Sequence, residues 1–246
     1  MPDATSTQKI ALVTGANKGI GFEVARGLAA AGCTVLVGAR NPVLGQEAAD
    51  KLNAEGLDTR YLAIDLDDPA SIQAAASQIE SQFGHLDILV NNAGIADRAD
   101  GPPSTVALDA VERTMKINFV GSLAVTQAML PLLRKSPGAR IVNVSSGLGS
   151  LTQNSDPNYE YAFAKPLAYN ASKAALNMLT VHLAYELRDT PIKVNAADPG
   201  YTATDLNGHS GPQTIQEGAE ETIRLALLPD DGPTGTYSDR KGLVPW

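Results

Sequence analysis

The sequence predicts an α/β fold: one doubly wound, parallel β-sheet with helices on both faces. Short apolar runs alternate with helical periods over most of the 246 residues, which is typical of β-α-β units with right-handed crossovers. The runs are rich in Val, Ile and Leu, as expected of parallel strands that are buried on both faces. The predicted strands cover residues 10–13, 34–37, 60–64, 88–90, 141–144 and 192–195.

Helices are predicted between these strands, where apolar residues recur every third or fourth position. Glycine, proline and asparagine stand at the joints, and the sequence contains no internal repeat or interdomain linker. We therefore expect residues 1–246 to form a single domain. The apolar periods are Ile20, Val24 and Leu28; Ile72, Ala76, Ile79 and Phe83; and Leu176, Leu179 and Leu183.

Two stretches interrupt this alternation. Residues 147–167 are rich in Asn, Ser, Tyr and Pro, and residues 207–212 are rich in Gly. Both follow predicted strands at their carboxyl ends. Because open α/β sheets bind ligands at that edge, we expect both stretches to lie near a ligand site.

Composition and charge argue against several classes of protein. A net charge of −8 and 5% aromatic residues argue against binding to nucleic acid. Cys33 is the only cysteine, which excludes a disulfide within the chain and cysteine-based metal sites, and the three histidines are too scattered to suggest a metal motif. The amino terminus is polar, and no apolar run approaches the ~18 residues of a membrane span. We expect a cytoplasmic protein without a metal, a membrane span or a nucleic-acid partner.

The first strand leads directly into a glycine-rich loop, TGANKGIG at residues 14–21, and a predicted helix follows. Glycines let a backbone approach a pyrophosphate closely, and the start of a helix offers N–H donors and partial positive charge. The alternative is an ordinary tight turn, but the position between a first strand and a helix favours a dinucleotide site. The candidate contacts are Gly15, Asn17, Lys18, Gly19, Ile20 and Gly21.

The end of the second predicted strand indicates which dinucleotide is bound. An NAD site tends to place an acid there, about 20 residues past the glycines, for the ribose 2′-hydroxyl. This chain has Arg40 and no acid in Gly38–Asn41. Arg40 can pair with a 2′-phosphate, Lys18 can add a second charge and Asn17 a hydrogen bond. Each cation alone could be an ordinary solvated side chain; together they favour NADP(H).

These motifs, with three later ones, resemble the short-chain dehydrogenase/reductase family. The loop has the spacing T-G-x-x-x-G-x-G, and NNAG at 91–94, YNASK at 169–173 and PGYTAT at 199–204 follow in the family's order. The resemblance covers about residues 9–205. A narrower likeness, to monomeric NADPH-dependent carbonyl reductases, is carried by residues 13–21, 38–40, 53–57, 86–96 and 115–119. It implies a Rossmann-type sheet.

The catalytic group implied by this resemblance has four members. Tyr169 and Lys173 are four residues apart on a predicted helix, so they share one face, and a nearby ammonium makes a tyrosine hydroxyl a better acid–base group. The family places a serine, here Ser146 with Ser145 as the alternative, on the substrate carbonyl. Asn118 matches a helix-interrupting asparagine that holds a water connected to the lysine; alternatively it is a buried polar residue without that role.

The resemblance implies further cofactor contacts beyond the glycine-rich loop. Asp65 and Leu66 end the third predicted strand and would border the adenine, unless Asp65 only starts a turn. The NNAG run would contact the cofactor and stabilise the sheet, and the PGYTAT run would meet the nicotinamide carboxamide and the phosphates. Tyr201 would face the substrate or pack. The implied contacts are Asn92, Ala93, Gly94, Tyr169, Lys173, Pro199, Gly200, Thr202 and Thr204.

Two departures from the family pattern affect the substrate side. Ser146 and Tyr169 are further apart than in most members, so we expect a substrate-side insertion near residues 147–167. Its Tyr159, Tyr161 and Phe163 would line the substrate mouth or cover a dimerisation helix. The chain beyond Asp205 is short, which favours an open site and a monomer or homodimer.

The resemblance therefore implies an NADPH-dependent reductase that transfers hydride to the carbonyl of a ketone, aldehyde or quinone, with Tyr169 as general acid. The expected partner is a small carbonyl substrate. Two alternatives stay open: an NAD-linked alcohol dehydrogenase of the same fold, and a non-enzymatic NADP-sensing regulator.

Overall fold

The computed structural model describes residues 8–246. Its eight-stranded sheet has the order β3-β2-β1-β4-β5-β6-β7-β8, and every neighbouring pair is parallel except β7 with β8. This confirms the predicted doubly wound parallel sheet. The strands are β1 (Ile10–Thr14), β2 (Thr34–Ala39), β3 (Thr59–Ala63), β4 (Ile88–Asn91), β5 (Arg140–Val144), β6 (Lys193–Ala197), β7 (Tyr237–Asp239) and β8 (Gly242–Leu243).

Helices connect the strands and cover both faces of the sheet. Several start at local caps: Asn41 and Asp68 accept backbone N–H groups just ahead of prolines, and Thr214 and Glu217 form a capping box. The helices are α1 (Gly19–Ala30), α2 (Pro42–Ala54), α3 (Pro69–Phe83), α4 (Leu108–Met115), α5 (Ser122–Leu133), α6 (Leu151–Ser155), α7 (Leu167–Glu186) and α8 (Ile215–Ala226), with a π-helix at Lys116–Gly121 and 3₁₀ turns at Gly147–Gly149 and Asp205–Asn207.

The core consists of two apolar layers, one on each face of the sheet. Alternate residues of β1 supply both: Leu12 belongs to the layer under α3, α5 and α7, and Val13 to the layer under α1, α2 and α8. The chain order reverses between β1 and β4, whose carboxyl ends therefore open a crevice. Leu12 pairs with Leu36 on one side and Leu89 on the other, which fixes this register.

The structure contains elements that the sequence pattern did not predict. β7 and β8 add a short antiparallel edge, where Trp246 stacks on Tyr237 with ring centroids 5.3 Å apart. α8 packs beside α1, with Ile223 against the position where a Cβ on Gly27 would lie. β7 and β8 extend the sheet beyond β6, and α8 covers β4, β5 and β6 on the face that α1 also covers.

One helical stretch in the described residues, Leu108–Leu133, is long and apolar enough to cross a membrane by length and composition, although the sequence analysis expected none. Its buried Val125, Met129 and Leu133 pack into the core layer under α5. The core helix of a globular protein passes the same test.

Candidate active site

The glycine-rich loop between β1 and α1 requires glycine at several positions. Gly15 and Gly19 have φ values of 65° and 60°, in the left-handed region that favours glycine. A Cβ on Gly15 would lie 2.9 Å from the Ala93 backbone, and one on Gly21 would overlap the amide of Asn92. The loop is therefore packed directly against the segment that follows β4.

Thr14 and Asn92 hold these two segments together. The Thr14 hydroxyl accepts the Asn92 and Ala93 N–H groups at 3.0 and 3.1 Å, and the Asn92 amide donates to the Thr14 carbonyl at 2.8 Å. Asn91 instead donates to Asn143 at 2.9 Å inside the sheet. Of the NNAG run, the first asparagine has a structural position and the next three residues face the crevice.

A groove of about 550 Å³ runs along this crevice. It collects sixteen of the sequence-predicted site residues: Gly15, Asn17, Lys18, Gly19, Ile20, Gly21, Arg40, Asp65, Leu66, Asn92, Ala93, Gly94, Tyr169, Lys173, Pro199 and Thr204.

Four predicted site residues do not line the groove: Gly200, Thr202, Asn118 and Ser146. Thr202 is buried, and its hydroxyl donates to the Pro199 carbonyl at 2.9 Å. Its side chain therefore stabilises the turn after Pro199 in this structure. The groove also has lining residues that sequence analysis did not single out, among them Arg98, Asp205 and His209.

The residues of the groove fit a phosphate-bearing dinucleotide. No side chain caps the start of α1, so its first backbone N–H groups are open to a pyrophosphate. At the β2 end, Arg40 is exposed and forms no ion pair within residues 8–246. Lys18, in contrast, pairs with Asp205 at 2.6 Å. Asp65 lines the groove and also accepts the Asp67 N–H at 3.0 Å, so its turn-forming contact and its place in the groove coexist.

Tyr169 and Lys173 lie one turn apart on α7, as predicted. The Lys173 ammonium is 5.6 Å from the centroid of the Tyr169 ring and donates to the Val144 carbonyl at 2.8 Å. Burial lowers the pKa of Lys173 to about 8, an effect that the charge of Asp198 opposes. Burial raises the pKa of Tyr169 to about 12; a hydrogen bond with Ser146 lowers it and Asp198 adds to the rise.

The structure brings Ser146, and not Ser145, to Tyr169. Ser145 is buried, and its hydroxyl donates to the Asn177 side chain at 2.5 Å. Ser146 begins the 3₁₀ turn after β5, accepts the Leu148 N–H at 3.3 Å, and is the hydrogen-bond partner that acts on the Tyr169 hydroxyl.

Asn118 lies in the π-helix, so the predicted interruption of the helix is present. Its buried amide accepts the Ile95 N–H at 2.8 Å, and donates to the Ile95 carbonyl and the Ser172 hydroxyl at 2.9 Å each. A Cβ on Gly94 would lie 3.3 Å from Asn118 Oδ1 and 3.6 Å from Lys173 Nζ. Asn118 thus borders the lysine, while its water relay stays a prediction.

Asp100 is a positioning residue that sequence analysis missed. Its carboxylate accepts the Ala168 and Tyr169 N–H groups at 2.9 Å each, at the first turn of α7 where backbone donors lack helical partners. It fixes the start of the helix that carries Tyr169. No local sequence signal relates this acid to a helix more than sixty positions later.

The 147–167 segment turns its aromatic residues toward the loop after β6. Tyr161 packs edge-to-face on Tyr159 and on Tyr201, at 5.6 and 5.5 Å between ring centroids. Phe163 is 80% exposed. The contact of Tyr161 with Tyr201 places the segment beside the turn that follows Pro199, close to Ser146 and Tyr169.

Comparisons with known proteins agree with this geometry. A family model described as short chain dehydrogenase matches residues 9–214. Carbonyl reductase (NADPH) 1 of Mus musculus is 35% identical over 98% of this chain and all of its own length. A (+)-neomenthol dehydrogenase of Capsicum annuum is 32% identical over 98% of each chain. The NADPH-bound carbonyl reductase from chicken fatty liver superposes with a TM-score of 0.84 at 30% identity, over 97% of this chain and 94% of its own.

Proposed function

The chain belongs to the short-chain dehydrogenase family, and from this premise we propose that it is an NADPH-dependent reductase of ketones, aldehydes or quinones. The observation that carries the proposal is that Tyr169 and Lys173 line the same groove as the glycine-rich loop, while Ser146 forms a hydrogen bond with the Tyr169 hydroxyl. Two hydroxyls beside a buried ammonium suit the protonation of a carbonyl oxygen. Several relatives are named as NADPH carbonyl reductases, which supports the same choice.

The reduction needs a hydride, which NADPH supplies when bound. The chain contributes binding and proton transfer. N–H groups at the start of α1 bind the pyrophosphate, and the Arg40 guanidinium pairs with the 2′-phosphate. Lys173 would also hold the nicotinamide ribose.

The Ser146 and Tyr169 hydroxyls hold the carbonyl oxygen of the substrate. Tyr169 donates its proton to that oxygen as the carbonyl carbon is reduced. A pKa of about 12 keeps Tyr169 protonated at neutral pH, as a general acid requires. Asn118 and Lys173 border the path by which Tyr169 regains a proton.

The experiment measures NADPH and NADH consumption by the purified protein with an aromatic aldehyde, a bulky ketone, a diketone and a quinone. Tyr169→Phe should lower kcat by about 100-fold or more and leave NADPH binding, measured by its fluorescence, in place. Tyr185→Phe is the matched control, because Tyr185 is on the same helix but 70% exposed. Near-normal turnover by Tyr169→Phe would contradict the proposal. Preference for NADH would favour the alcohol dehydrogenase alternative. Tight binding of NADPH without turnover of any substrate would favour the NADP-sensing regulator.

A further inference from the structure

Asp198 is an acid beside the reacting hydroxyls that the mechanism above does not use. It follows β6, is half-buried, and accepts the Gly200 N–H on Oδ1 at 2.9 Å, and the Gly147 backbone N–H also hydrogen-bonds to it. Its Oδ2 lies 2.9 Å from the position that a Cβ on Gly147 would occupy, and Gly147 directly follows Ser146. The charge of Asp198 also raises the pKa of Tyr169. The carboxylate therefore borders the place where the carbonyl would bind.

This carboxylate has no cationic partner within residues 8–246: no Lys, Arg or His nitrogen lies within ion-pair distance. Burial raises the pKa of Asp198, and the hydrogen bonds from the Gly200 and Gly147 N–H groups and the more distant Lys173 ammonium oppose this rise only in part. A half-buried carboxylate without a counter-ion is unfavourable. A cation supplied by a ligand would relieve that cost.

The groups around Asp198 suit such a cation. The Gln153 Oε1 atom and the Tyr159 hydroxyl approach the same point beside Gly147. Gln153 Oε1 is a buried acceptor without a hydrogen-bond donor. The rings of Tyr159, Tyr161 and Tyr201 form a continuous edge-to-face cluster next to them. A carboxylate, an unused acceptor and aromatic rings together favour a protonated amine, which brings both an N–H donor and positive charge.

We propose that Asp198, Gln153 and the three tyrosines form a subsite for a protonated amine, so that the preferred substrates are carbonyl compounds that carry an aliphatic amine. The inference rests on the proposed reductase function and specifies its substrate class. The competing explanation is that Asp198 only holds the backbone through the Gly200 and Gly147 N–H groups. Asp198→Asn removes the charge and keeps one oxygen for the Gly200 N–H, and the ratio of a charged to a neutral substrate cancels any loss of turnover that the two substrates share.

The test compares 4-(dimethylaminomethyl)acetophenone, a cation at pH 7, with 4-isobutylacetophenone, its neutral isostere. We expect the wild-type kcat/KM to favour the cation by about tenfold or more, and this ratio to fall by about tenfold in Asp198→Asn. Gln153→Leu should also lower this ratio several-fold, because it removes the Oε1 acceptor and leaves Asp198 in place. Glu186→Gln, which removes an exposed acid at the carboxyl end of α7, should leave it within about twofold, as expected of a screened surface charge. Equal use of the two ketones by the wild type, or the same preference in Asp198→Asn, would overturn the subsite.

A binding measurement separates failure of the subsite from failure of the reductase function. If NADPH reduces neither these two ketones nor any carbonyl compound of the first panel, the proposed function fails. Saturation-transfer NMR of N,N-dimethylbenzylamine in the presence of NADP⁺ then still tests the subsite. Binding that weakens by about tenfold in Asp198→Asn supports it, and equal binding by both proteins rejects it.

Discussion

Lys18 Nζ lies 2.6 Å from Asp205 Oδ2, so an ion pair joins the glycine-rich loop to the loop that follows the Pro199 turn. Both residues line the groove, and the Lys18 ammonium lowers the pKa of Asp205. The sequence predicts that Lys18 binds the 2′-phosphate of NADPH. In this structure the Lys18 ammonium is paired with the Asp205 carboxylate, so the 2′-phosphate and this carboxylate would compete for the same ammonium.

Asp205→Asn should therefore tighten NADPH binding. Both partners are more than half exposed, so their pair is weak, and the expected fall in Kd is about two- to fivefold. Fluorescence titration of NADPH measures it, and the effect should shrink at high salt. Asp231→Asn, an exposed acid away from the groove, is the control. An unchanged or weaker Kd in Asp205→Asn would mean that the carboxylate does not compete.

Arg40→Ala should remove most of the preference for NADPH over NADH. Arg40 is exposed at the end of β2 and has no ion pair in the described chain, so its guanidinium is available to the 2′-phosphate. Charge-assisted hydrogen bonds of this kind correspond to about 10- to 100-fold in Kd. Titrations with both cofactors give the ratio. Arg98→Ala removes another arginine of the groove and should leave the ratio unchanged; equal losses in both variants would reject the specific role of Arg40.

The fold could be predicted from the sequence because five of its first six strands are almost fully buried, and only β3 has exposed residues. Their continuous apolar runs placed every strand end within about two residues of the observed one. β7 and β8 carry no such run, since Tyr237–Asp239 and Gly242–Leu243 are short and partly polar. Their pairing depends on Ala196 and Ala197 of β6, which a local pattern does not reveal.

The candidate site divides in the same way. Motifs with fixed spacing, such as Tyr169 and Lys173, lie where the helical period put them. The acids around them do not follow from spacing: Asp100 contacts Tyr169, and Asp205 contacts Lys18, across 69 and 187 positions of the chain. Such pairs exist only once the sheet has brought its loops to one edge.

Gly149→Ala should lower both stability and turnover. A Cβ at Gly149 would lie 2.7 Å from the Cβ of Lys173, so α7 must move away from the turn after β5. Overpacking of this kind costs about 1–3 kcal/mol of unfolding free energy, and the shift displaces Lys173 from its site. Urea unfolding and kcat measure the two effects. Gly32→Ala, at φ 91° with open space around it, should lose stability only; an unchanged kcat in Gly149→Ala would show that α7 tolerates the contact.

Lys173→Met should stabilise the protein at neutral pH and abolish turnover, because the buried ammonium is unfavourable for folding. Burial lowers the pKa of Lys173 from 10.5 to about 8. The charged form is thus disfavoured in the folded state, and the penalty is complete below pH 8. It disappears as the pH rises from 8 to 10.5. The difference in pKa corresponds to a loss of about 3 kcal/mol in the free energy of unfolding below pH 8.

The bond from Lys173 to the Val144 carbonyl contributes about 1 kcal/mol in the opposite direction. Lys173→Met should therefore gain about 2 kcal/mol at pH 7 and lose about 1 kcal/mol above pH 10.5, where only the lost hydrogen bond remains. Urea unfolding of both proteins at the two pH values measures this reversal. Lys165→Met, a change at an exposed lysine, should show the pH dependence of the wild type. A difference between Lys173→Met and the wild type that is the same at both pH values would mean that Lys173 titrates normally in the folded protein.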